Sequence, residues 1–158
     1  MEKRINAFTS SPKAYAAMSQ LQQFVDSCGL EKLLMELVKM RASQINGCAY
    51  CLDMHSKDAR ALGETEQRLY ALNAWQETPF YNERERAALE WTEAITLISD
   101  THAPDDVYAR VAKLFSPEEL ANLTLAIATI NNWNRLCIAF RVVPGAYKSN
   151  LKPLNATA

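Results

Sequence analysis

Asn46-Gly47-Cys48-Ala49-Tyr50-Cys51-Leu52-Asp53-Met54-His55 is the stretch whose reading decides the fold. An Asn-Gly dipeptide ends a helix. Beyond it, Cys48, Cys51, Leu52, His55, Ala59 and Leu62 fall at offsets of 0, 3, 4, 7, 11 and 14. That spacing is one stripe of a helix, so both thiols and the imidazole point the same way. The preceding segment, about residues 30–45, is expected to be helical too, with Leu30, Leu33, Leu34, Leu37, Met40 and Ile45 as its apolar arc. Glu36 falls at the edge of that arc beside Met40, where it is expected to look into a cleft without full burial. The two segments predict a helical hairpin with Glu36 on one arm and Cys48, Cys51 and His55 on the other.

Working outward, nearly all of the chain reads helical. It has four glycines and no sustained period-two stretch of β-branched residues. Ser11-Pro12 opens a first helix that runs to Cys28-Gly29. A fourth is expected over about 65–75, and Thr78-Pro79 marks a loop. Asn82 with Glu85 predicts a capping box and a helix to about Ile98. Pro104 starts a short sixth helix, and Ser116-Pro117-Glu118-Glu119 opens a long seventh to about Arg141. That last helix is apolar over most of its girth, which places it centrally or at a subunit interface. The tail from Tyr147 reads as extended.

The 158 residues predict one domain over 1–158, with its core at about 14–147. Net charge is −1, which gives no electrostatic case for nucleic acid or an anionic membrane as partner. The N-terminus carries no apolar h-region of a signal peptide, and no run approaches the ~20 apolar residues of a membrane span. A cytoplasmic protein is expected. Thiols are kept reduced there, so a Cys-x-x-Cys pair points to catalysis or metal binding rather than a structural bridge.

Two thiols three apart on a helix can close and reopen a disulfide. A histidine one turn on can take a proton, and a carboxylate can orient it. The thiolate is the reactive form, and a free cysteine titrates near pH ~8.5. Cys48 stands at a helix N-terminus, which favours an anion. Cys51 has His55 one turn away. Helix position thus favours Cys48 as nucleophile and histidine contact favours Cys51. The competing reading is a zinc knuckle or assembly module. It would need His55 plus Glu36 or His102 to complete the ligand set, and structural zinc draws its ligands from separate elements. No metal or other cofactor is therefore expected. Cys28 and Cys137 stand alone and read as buried, inert thiols. His102 reads as a solvated loop residue. Tyr50 can pack or donate to a bound peroxide. Trp133 and Asn134 are candidate substrate contacts, with Asn134 otherwise bracing a helix contact, since an amide in an apolar stripe needs partners.

Glu36-x11-Cys48-x2-Cys51-x3-His55 resembles the core motif of the AhpD-like alkylhydroperoxidase proteins, within the carboxymuconolactone decarboxylase superfamily. The stretch from Ser116 to Arg141, with Ile130-Asn131-Asn132-Trp133-Asn134-Arg135, is similar to a subgroup of it. The resemblance implies an all-α, AhpD-like helical bundle with the Cys-x-x-Cys motif at the start of a helix in an antiparallel hairpin. It implies a homotrimer or homohexamer that reduces hydroperoxides without metal or haem. In it Cys51 is the peroxidatic thiol and Cys48 the resolving one. His55, with Glu36 through a water, is the proton relay. The implied reductant is an external dithiol, a lipoyl group or a thioredoxin-like protein. One departure is Tyr50, where the best-matching AhpD proteins carry histidine. The alternative function on the same pair is a thiol–disulfide oxidoreductase or redox sensor with little peroxidase turnover.

Overall fold

The computed structural model describes residue 2 and residues 4–154. No strand occurs among them. The α-helices in chain order are α1 (Ala7–Ser10), α2 (Pro12–Ser27), α3 (Lys32–Asn46), α4 (Ala49–Leu62), α5 (Glu66–Ala71), α6 (Glu83–Thr96), α7 (Ile98–Thr101), α8 (Asp105–Val111) and α9 (Pro117–Ala139). A 3₁₀ segment, Leu72–Glu77, follows α5.

The capping signals hold. Asn82 and Ser116 each accept from the backbone N–H three residues on, and Glu85 and Glu119 reach back to the cap N–H, so both boxes are closed. Where the structure departs from the expectation, local geometry explains it. The expected helix over 65–75 is two pieces: α5 gives way at Leu72 to a tighter 3₁₀ segment, which is itself kinked at Ala74 (φ −120°, ψ 31°). The helix expected to reach Ile98 stops at Thr96; Leu97 caps it, and α7 restarts for one turn. The short α1 was not anticipated. Its only sequence signal is Asn6, whose side chain accepts from the N–H groups of Phe8 and Thr9.

α3 and α4 form the hairpin that carries the site. Gly47 ends α3 in the left-handed conformation (φ 69°), and its N–H returns to the carbonyls of Ser43 and Gln44. The Cys48 N–H also bonds Ser43 O. The chain therefore reverses within two residues. A methyl added at Gly47 meets no heavy atom within 4 Å. Its cost is then backbone strain alone, and Gly47→Ala should lose about 1–2 kcal/mol in denaturant titration. A loss above that range would reveal a packing role that the geometry does not contain.

Three apolar clusters hold the bundle. The largest joins α2, α3, α6 and α9 through residues such as Val38, Trp91, Leu123 and Ile127. A second, with Leu37, Ala59, Leu72, Trp75 and Leu89, seals α3 and α4 against the 3₁₀ segment and α6. The third is Ala42, Cys48, Cys51, Ile130 and Cys137, between the hairpin turn and α9. α9 packs on α2, α3, α4 and α6, which explains its apolar girth. Leu123 and Ile127 are fully buried at its centre.

Candidate active site

Cys48 is the N-cap of α4 rather than its first residue, and its sulfur accepts from the Cys51 N–H at 3.4 Å. The two cysteines are joined as a disulfide, with Cα atoms 5.4 Å apart. Both are 1% exposed. A sulfur held against an unpaired N–H at a helix start is stabilised as an anion when the bond opens.

His55 is buried one turn beyond Cys51. Its Nδ1 lies 2.8 Å from Glu36 Oε2. The other carboxylate oxygen, Oε1, accepts from Lys39 Nζ at 2.9 Å, and Lys39 also lies 3.5 Å from Asp26 on α2. Burial alone would raise the Glu36 pKa, but the hydrogen bond and charge of His55, joined by Lys39, outweigh it and hold the carboxyl below the ordinary range. Burial likewise opposes the charge on Lys39, and Glu36 overcomes it, leaving the ammonium above its usual value. An ionised carboxylate only accepts, so Nδ1 is the donor and Nε2 is the basic nitrogen.

Two expectations about Glu36 change here. It is 4% exposed, so it does not keep a partly solvated edge position. Its bond to His55 is direct, with no water between them. The reason is Lys39, one turn on, which neutralises the carboxylate inside the bundle.

A cavity of about 610 Å³ opens onto this set. Cys51, His55, Glu36 and Lys39 line it, and Cys48 is not among its walls. Tyr50 and Trp133 line it as well, beside Phe8 and Tyr15. The rings of Phe8, Tyr15 and Trp133 pack on one another, with centroids 5.1–6.4 Å apart. Burial raises the Tyr50 hydroxyl pKa, which keeps it a donor at neutral pH.

Asn134 stands apart from the cavity. It is fully buried, donates to Ser43 Oγ at 3.0 Å and accepts from Asn46 Nδ2 at 2.9 Å. Asn131 accepts from the same Asn46 amide at 2.8 Å. These bonds tie the hairpin turn to α9, the bracing alternative for Asn134. Cys28 is half-buried rather than buried, and His102 is exposed in its loop.

The sequence reading missed Lys39, Asp58 and Tyr147. Asp58 lies one turn beyond His55 and accepts the Tyr147 hydroxyl at 2.8 and 3.0 Å. The tail is thereby fastened over α4, with Lys57 donating to the Tyr147 carbonyl at 3.1 Å. Spacing from Glu36 and His55 could have flagged Lys39 and Asp58. Nothing local could have flagged Tyr147.

Metal-competent groupings among the described residues keep thiols and imidazole in separate sets. One is Cys48, Cys51 and Cys137; the other is Glu36, His55 and Asp58. The second is already engaged by Lys39 and Tyr147, so the mixed Cys and His ligand set of a zinc knuckle does not assemble.

The chain belongs to the carboxymuconolactone decarboxylase family, which matches residues 12–94. It is 43% identical over 139 residues to the uncharacterized protein YdfG of Bacillus subtilis, covering 88% of this chain and 95% of that one. A crystal structure from Agrobacterium tumefaciens, of a protein of unknown function proposed to be an antioxidant defence protein AhpD, is 44% identical. It superposes with a TM-score of 0.89, covering 92% of this chain and 100% of that one. The debrominase Bmp8 is 25% identical with a TM-score of 0.76, over 88% of this chain and 75% of its own. A variant of that debrominase was solved with 2,3,4-tribromopyrrole. The fold is thus the AhpD-like helical bundle, and the Cys48–Cys51 pair within it supports a redox role. No helix among the described residues is long and apolar enough to cross a membrane.

Proposed function

We propose that the protein is a cytoplasmic thiol peroxidase that reduces organic hydroperoxides through Cys51 and Cys48. The observation that carries this reading is the asymmetry of the pair: the cavity reaches Cys51 and His55, while Cys48 lies behind at the helix cap. Cys51 is therefore the sulfur that a substrate meets.

His55 Nε2 takes the Cys51 proton, and Glu36 holds the imidazole in the tautomer that can do so. The thiolate attacks the outer peroxide oxygen, the O–O bond breaks, and the alkoxide leaves as alcohol with the proton from His55. Cys51 becomes a sulfenic acid. The Cys48 thiol condenses with it, releasing water and closing the disulfide. An external dithiol reopens the pair by exchange and leaves as its own disulfide. Two cysteines only 1% exposed favour a slender dithiol such as a lipoyl group over a flat protein surface such as a thioredoxin-like active site. The aromatic wall of Phe8, Tyr15, Tyr50 and Trp133 favours a hydroperoxide with a ring or alkyl body over hydrogen peroxide.

The deciding experiment measures alcohol formed from cumene hydroperoxide against consumption of dihydrolipoamide. One alcohol per dithiol oxidised is expected. Rapid disulfide exchange with no alcohol would leave the oxidoreductase reading in its place. A small brominated aromatic belongs in the same assay, since a debrominase shares the fold.

We also read the protein as a homotrimer or homohexamer. Phe24, Ile138 and Val143 are large apolar side chains left exposed on the single chain. Light scattering at micromolar concentration should give three or six chain masses; a monomer mass removes this reading.

A further inference from the structure

We propose that Cys137 is a third redox thiol, forming a disulfide with Cys51 when Cys48 is absent or displaced. The inference rests on the reading of Cys51 as the attacked sulfur. Three observations carry it. The sulfurs of Cys48, Cys51 and Cys137 all lie within 4.8 Å of one another. Cys51 and Cys137 both line the cavity, and Cys48 is not among its walls. Cys137 approaches from α9, a different element from the other two, so its pairing with Cys51 does not compete for the α4 backbone. A disulfide between Cys51 and Cys137 requires rotation of one or both side chains to close the remaining gap.

Two balanced steps use it. In the first, a Cys51 sulfenic acid condenses with the Cys137 thiol; the S–O bond breaks, an S–S bond forms, and water leaves. In the second, the Cys137 thiolate attacks Cys51 in the existing disulfide. The Cys48–Cys51 bond breaks, and Cys48 leaves as a thiolate at the helix N-terminus, which favours its departure. That step exchanges one disulfide for another with no outside oxidant. Burial pushes the Cys137 thiol up to about 11. On the order of 10⁻⁴ of it is thiolate at pH 7, so Cys48 resolves first and Cys137 stands in reserve.

The test uses reduced Cys48→Ser and, as a second variant, Cys48→Ala. Each is treated with cumene hydroperoxide or, separately, with diamide, which takes two hydrogens from a thiol pair without peroxide chemistry. Samples are alkylated in denaturant and mapped by mass spectrometry. The expected product is a Cys51–Cys137 peptide pair two hydrogens lighter, forming about tenfold faster per pH unit below pH 11. Cross-linking by diamide alone upholds the third thiol and sinks the peroxide reading. A lasting dimedone-reactive Cys51 beside a free Cys137 overturns the third thiol and leaves the peroxide reading intact. The unmutated oxidised protein supplies a check independent of variant folding. Quenching at pH 9 should yield a minor Cys48 adduct; alkylation of Cys137 and Cys28 alone overturns the proposal.

Discussion

Cys51→Ser should abolish alcohol formation from cumene hydroperoxide, a loss of at least about 10³-fold given what nucleophile removal costs where residues act as a unit. The substitution changes one atom in a site 1% exposed, so helix content should be unchanged. It removes the one sulfur of the pair that lines the cavity and precedes His55 by a single turn. Cys48 remains buried at the α4 cap, outside the cavity lining. A Cys51→Ser protein that still turned over peroxide against excess dithiol would reverse the two sulfurs. Helix position would then outweigh cavity access and histidine contact in selecting the nucleophile.

Glu36→Gln should damage both stability and rate. Glutamine keeps the shape but removes the charge that Lys39 and His55 share. Lys39 is left buried with the partly exposed Asp26 as its remaining partner, a loss of about 3 kcal/mol by analogy with broken buried pairs. Glutamine can present its carbonyl or its amide to Nδ1, so the imidazole loses its fixed tautomer. Thiolate attack should slow about 10²-fold or more. The pH dependence follows from the directions of the two shifts. Glu36 is held below its ordinary value of 4.5. Its contribution is complete above that value and is lost as pH falls through the lower folded one. Lys39 is held above 10.5, so its contribution is complete below that value and is lost as pH rises through the folded one. The difference in Tm between the parent and Glu36→Gln should be full near neutrality and close on acidification below 4.5. A gap that stayed constant into acid would mean that the carboxylate charge does not stabilise the fold.

Much of the site was legible in sequence because its members share short helical spacings. Cys48, Cys51 and His55 recur on one stripe, and Gly47 marks the reversal that brings Glu36 back to them. What was not legible depends on chain segments far apart. The burial of Glu36 requires Lys39 and then Asp26 from another helix. Tyr147 lies 89 residues from the Asp58 it holds. Cys137 read as inert because no local pattern relates it to α4, and the packing of α9 on the hairpin supplies that relation. The 3₁₀ break after α5 escaped notice because Leu69, Leu72 and Trp75 keep a helical apolar rhythm through it.

The turn that presents the thiols is anchored on its far side. Asn46 is gripped by its own α3 carbonyl and by Asn131 and Asn134 of α9, and Ser43 is bonded to Asn134. Both cysteines occupy a single helical turn behind that anchor, with Cα atoms 5.4 Å apart. Opening and closing the bond therefore requires side-chain rotation and no melting of backbone. The slow, unfolding-gated step that a resolving thiol on a remote segment would impose is absent from such an arrangement. In the proposed cycle the reductant reaches Cys51 through the cavity, so the length and shape of its dithiol arm bear on which donor serves.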